Sequence, residues 1–138
     1  YAVDQAQAGD EIRVAAGTYT DTHGRAVPTG YPSPSASGLI TQVVYISKSV
    51  TIRGGYTTAD WNTSDPGANL TILDAQGAGR VLVAAGDVSP TVEGLHLTGG
   101  DVGGWGGGVY AIDAAVALNH NEIYSNTADG GGGVCLME

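Results

Sequence analysis

The sequence predicts an all-β chain wound as a parallel β-helix, a solenoid of short stacked strands. Three observations carry that expectation. Strand phrases recur roughly every 20 to 26 residues, glycine runs recur about 25 residues apart, and a long amphipathic helix is hard to draw anywhere.

Composition shapes the expected core. The 138 residues include 23 Gly, one Met and no Phe, about twice the usual glycine share. Val, Leu, Ile and Ala must then fill the interior, with backbone running close to backbone. The glycines do not hold a strict third position, which excludes collagen. Five Lys and Arg stand against fourteen Asp and Glu, a formal net charge of −9. With no basic patch, nucleic acid is not an expected partner. No apolar run is long enough to span a membrane. Cys135 is the only cysteine, so no internal disulfide framework exists.

The elements follow in chain order. "YAVDQAQAGD" gives a short helix with Ala2, Val3 and Ala6 on one face, stopped at Gly9. "EIRVAAGTY" is a strand with a glycine turn. "VVYISKSVTIRGGY" holds two strands split at 47–49, and "LTILDAQGAGRVLVAAGD" holds two more around "QGAG". "PTVEGLHLTGG" and "AVALNHNEIYSN" alternate apolar and polar positions. Aligning "VTIRG", "LTILD" and "TVEGL" places Ile52, Ile72 and Val92 in one aliphatic row, continued by Leu118. "GGGVYAID" and "GGGVCLME" read as the same corner in successive coils, with glycine supplying positive φ. Two stretches, about 20–40 and 56–69, read as loops projecting from the coil. The whole of 1–138 is expected to be one domain, the N-terminal portion of a β-helix whose C-terminal coils are missing, because an exposed terminal coil would leave a bare strand edge.

The phrase "AVDQAQAGDEIRVAAGTYT" resembles the N-terminal entry of right-handed parallel β-helix proteins of the pectin-lyase-like superfamily. "VTIRGGY", "TILDA", "GLHLTGG", "GGGVY" and "NEIYSNTA" resemble bacterial surface proteins of the polymorphic outer-membrane-protein type. The resemblance implies a right-handed coil with a short N-terminal capping helix. It implies no single function, because enzymes, adhesins and other surface proteins share the architecture.

Two catalytic readings are open. A polysaccharide lyase needs a positioned base beside a cation that neutralises the uronate. The available bases are Arg13, Arg25, Lys48, Arg53 and Arg80, and no carboxylate cluster stands beside them in sequence. A glycoside hydrolase needs two carboxyls, about 5 Å apart for retention. Asp113 and Glu138 are the weak candidates, because the glycine-run alignment stacks them one coil apart, with Asp87 near the same row. Stacked acids can also hold Ca²⁺, but no known Ca²⁺ repeat is present, so no cofactor is expected. His23, His96 and His120 are scattered and Cys135 is alone, so no metal site is expected. His120 and Asn121 are expected to face solvent or a turn. The sequons at Asn62 and Asn69 are expected to be idle.

The aromatic residues give the binding reading. Trp61 and Trp105 fall in expected loops, where an exposed indole stacks on a sugar ring. Trp61 is instead expected to pin its own loop, leaving Trp105 as the better carbohydrate-binding candidate. The favoured function is a secreted or cell-surface β-helix module, non-catalytic, displaying loops to a polysaccharide or a surface protein. The alternatives are the N-terminal part of a polysaccharide lyase or glycoside hydrolase, and a structural stalk.

Overall fold

A computed structural model describes residues 1–32 and 38–138. The chain is almost entirely β. Among the described residues the only helix is α1 (Ala2–Gln5), four residues long and closed by Ala6 N–H on the Ala2 carbonyl at 3.0 Å. Val3 and Ala6 turn onto the core as the sequence predicts.

The strands form three larger sheets and a two-stranded one. The first sheet runs β1 (Glu11–Ala15), β5 (Thr51–Tyr56), β8 (Thr91–Glu93), β12 (Ala117–Asn119), all parallel. The second runs β2 (Gly17–Tyr19), β6 (Thr71–Asp74), β9 (His96–Thr98), β13 (Glu122–Ile123), also parallel. In the third, β3 (His23–Ala26) lies antiparallel on β4 (Leu39–Ile46), followed in parallel by β7 (Arg80–Val88), β11 (Val109–Ala114) and β15 (Val134–Met137). β10 (Asp101–Trp105) pairs with β14 (Thr127–Gly130). The described chain visits the first, second and third sheets in that order, then repeats, and each visit pairs with the one before it.

Two register rows build the main core. In the first sheet Ile12, Ile52, Val92 and Leu118 are successive partners. In the second sheet Leu73 lies beside Leu97, and Leu97 beside Ile123. The expected row therefore holds for Ile52, Val92 and Leu118 but not for Ile72. Ile72 belongs to the second sheet, between Thr18 and His96, and is half-buried while Leu73 turns inward. The cause is the long loop after β5: partners in the first sheet are 40 positions apart from Ile12 to Ile52 and again from Ile52 to Val92. A spacing half that size mixes two sheets.

The glycine runs have two jobs. Gly106 and Gly131, in equivalent places, adopt φ of 68° and 59°, the corner expected from the sequence. Gly107 lies in close contact with the next pass of chain: a Cβ there would lie 2.6 Å from the Thr127 carbonyl oxygen and 2.9 Å from that of Gly132.

The stretch about 20–40 is not simply a projecting loop; residues 33–37 of it lie outside the described part. His23–Ala26 pairs with Leu39–Gln42, and the segment after β3 folds back across the outer face of the third sheet. There Val27 and Tyr31 cover a second cluster of Ile40, Val83, Ala85, Tyr110 and Ile112. β7 and β11 are thus buried on both faces, which explains their near-continuous apolar sequence. Residues 57–70 form the connection between β5 and β6, Tyr56 being the last residue of β5.

Candidate functional site

β1 and β5 present a charged ladder on the first sheet. Arg13, Arg53 and Glu93 are register partners. Arg13 Nε donates to Glu11 at 2.7 Å, and Arg53 bridges Glu11 at 3.0 Å and Glu93 at 3.3 Å. The Arg13 hydrogen bond, with the Arg53 charge behind it, holds the Glu11 carboxyl below its ordinary range.

Trp61 stands at the edge of this ladder. Its ring lies 6.3 Å from that of Tyr56 at an interplanar angle of 27°. Tyr56 is itself 2% exposed, at the end of β5. Arg13 sits 5.5 Å from the Tyr56 ring centroid and donates from Nη1 to the Trp61 carbonyl. The loop 57–70 is pinned at further points: Ser64 donates to the Gly54 carbonyl and Asn69 to that of Gly55. Trp61 does fold back toward its own strand, yet the indole stays 42% exposed. Pinning and display coincide.

Trp105 ends β10 rather than lying in a loop, and its register partner is Gly130. Its six-membered ring crosses Gly130 so closely that a Cβ there would overlap Cζ3. The indole is 44% exposed, and its carbonyl accepts from Arg80 Nε at 2.9 Å. Arg80, 4% exposed, sits 4.9 Å from the Tyr110 ring centroid and donates to the Tyr31 hydroxyl at 3.2 Å. The Trp105 platform is therefore supported by the second apolar cluster.

The register of β11 and β15 ends at Ile112 and Met137, and Asp113 and Glu138 each come one residue later in sequence, Glu138 beyond the end of β15. Asp113 is exposed with φ of 53°. The register between β7 and β11 slips after Ile112, which sets Asp87 opposite an irregular step. Among the described residues no cluster of three or more His, Cys, Asp or Glu is arranged to hold a metal ion.

Asn121, expected to face solvent or a turn, lies between β12 and β13, where it accepts from Leu95 N–H at 3.0 Å and donates to the Val92 carbonyl at 2.8 Å. Asn126 does the same between Gly100 N–H and the Leu97 carbonyl, at 2.8 and 3.0 Å. The ladder of Glu11, Arg13, Arg53 and Glu93 was also legible in principle. "EIR", "TIR" and "TVE" align once the first-sheet period is known. Tyr56 gave no such signal.

No family model, curated protein or solved structure matches the chain. No helix among the described residues is long and apolar enough to cross a membrane.

Proposed function

We propose that the chain is a stretch of right-handed parallel β-helix from a secreted or cell-surface protein, and that it binds carbohydrate without catalysing. Each visit to the three sheets is one coil, and the hand follows the chirality of parallel crossovers. The observation that carries the binding reading is Trp61: a half-exposed residue whose indole is braced on Tyr56 and whose carbonyl is held by Arg13, the end of the ladder that Glu11, Arg53 and Glu93 continue. A flat apolar face beside forked donors and acceptors suits a sugar ring, which has an apolar face and a hydroxyl rim. Trp105 offers a second platform across the molecule. The preference between the indoles moves from Trp105 to Trp61 because only Trp61 has such a ladder beside it.

The lyase alternative loses its bases. Arg13, Arg25 and Arg53 are ion-paired, Lys48 donates to three carbonyls, and Arg80 is buried against Tyr110. Asp113 and Glu138 keep a hydrolase reading in play, and the same experiment addresses it. A glycan array identifies a ligand, after which Trp61→Ala and Trp105→Ala are compared on it. One stacked ring contributes about 0.5–1.5 kcal/mol beyond burial, so Trp61→Ala should weaken binding by at least about twofold and up to about tenfold. Binding unchanged in Trp61→Ala but lost in Trp105→Ala moves the site to β10. Release of unsaturated or reducing sugars by the purified chain replaces the binding reading with a catalytic one.

A further inference from the structure

Arg80 differs from the other arginines. Arg13, Arg25 and Arg53 are partly exposed and pair with Glu11, Asp4 and Glu93. Arg80 is 4% exposed, and among the described residues it has no carboxylate partner. Its contacts are neutral. Nε donates to the Trp105 carbonyl at 2.9 Å and Nη2 to the Tyr31 hydroxyl at 3.2 Å. The Tyr110 and Tyr31 ring centroids lie 4.9 and 5.7 Å from the guanidinium carbon. Ring faces offset part of the lost hydration, but they leave the unit charge uncancelled. A guanidinium carries five N–H groups. Both on Nη1 and the second on Nη2 have no acceptor among the described residues.

The charge is not sealed in. A Cβ added at Gly104 would meet only Arg80 Nη2, at 3.8 Å, and one added at Gly103 would meet nothing within 4 Å. Space for a small group therefore borders the free end of the fork on the β10 side. The Tyr31 hydroxyl accepts from Nη2, so its own hydrogen is left to donate.

We infer that Arg80 anchors a binding site for a small organic carboxylate, which enters past Gly103 and Gly104 and takes the unspent N–H groups of the fork. One carboxylate brings one charge against one, in the planar geometry that guanidinium matches. A phosphate dianion fits less well, because its second charge would find no partner in a chain of net charge −9. The inference does not depend on where a sugar binds.

The test uses the whole chain, labelled with ¹⁵N and titrated with sodium acetate against sodium chloride at matched ionic strength. Acetamide, a neutral molecule of the same shape, and phosphate at pH 8 are the comparisons. Acetate should shift the Arg80 Nε–H and Gly104 amide resonances saturably. Acetamide should bind at least about tenfold more weakly, the loss of a charge-assisted fork, and phosphate no more tightly than acetate. Arg80→Met, apolar and of similar length, should abolish the response. Equal binding of acetate and acetamide overturns the role of the charge, and tighter binding of phosphate overturns the ligand class. No shift beyond that of chloride overturns the site, and that is the outcome if water alone serves Nη1. The comparison of acetate with acetamide on the unaltered chain decides the matter even where Arg80→Met does not fold.

Discussion

At single residues, two asparagines do work that their sequence context conceals. Asn121 and Asn126 each join two backbone groups of the preceding pass to their own. Replacing Asn126 by Ala leaves the Gly100 N–H without a partner, whereas the Leu97 carbonyl keeps the Tyr124 N–H at 3.2 Å. One such orphan costs about 1–3 kcal/mol, so Asn126→Ala should lower unfolding stability by about 1–3 kcal/mol in urea titrations. Asn126→Asp keeps the acceptor but loses the donor, and should fall between the wild type and Ala. A contrast of neighbours tests the inward face of β6. Leu73 is 4% exposed, so Leu73→Ala should cost about 2–5 kcal/mol, whereas Ile72→Ala, at a half-buried position, should cost clearly less. Gly107 is constrained differently: Ala there meets two carbonyl oxygens, so Gly107→Ala should cost about 1–3 kcal/mol by overpacking. In the sequence "GGG" announced a corner. It did not distinguish the glycine that needs positive φ from the one that needs empty space, because close approach depends on the next pass of chain.

Among the elements, α1 shows how a four-residue helix persists. A helix this short has no stability of its own. It is held by Lys48 on its carbonyls and by the Arg25–Asp4 pair. Lys48→Met should therefore raise hydrogen exchange at Gln5 and Ala6, whose amides close the helix, with a stability loss of about 1–2 kcal/mol. The Arg25 hydrogen bond sets the Asp4 carboxyl below its ordinary range. A depressed pKa means that the contribution is present above the unfolded carboxylate pKa and is lost as pH falls through the folded one. The helix should fray at strongly acid pH and not near neutrality. Both partners are about two-fifths exposed, so the effect stays below about 1 kcal/mol. Asp4→Asn should remove the acid-pH change in the protection factor at Ala6, the exchange rate relative to that of the unstructured amide at the same pH. The sequence disclosed this helix and its inward face because the apolar spacing is local. The clamp was hidden, because Lys48 lies 42 positions from Ala6. β3 was hidden for the same reason: "HGRA" has no strand pattern of its own and is strand only because β4 lies beside it.

For the whole molecule, the arrangement of strands predicts how it unfolds. In the three sheets each visit is strand-paired only with the visits before and after it, and the longer reach of Tyr31 to Tyr110 lies on the outer face of the third sheet. If these are coils of a solenoid, stability is close to a sum of neighbour terms rather than one global quantity. β7 is paired on both edges and buried on both faces, and Val81, Leu82, Val83 and Ala84 are fully buried. β15 is paired on one edge only, with Val134 37% and Leu136 65% exposed. Native-state hydrogen exchange should therefore be graded along the axis: slowest in β7 and β8, intermediate in β11, fastest in β12, β13 and β15. Core substitutions should act locally on this gradient. Leu97→Ala should raise exchange in β6, β9 and β13, its own sheet, more than in β4. Uniform exchange across all strands, with every substitution shifting all amides equally, would mean one cooperative globule. The axial reading of the repeat would then fail, although each sheet and its register would stand.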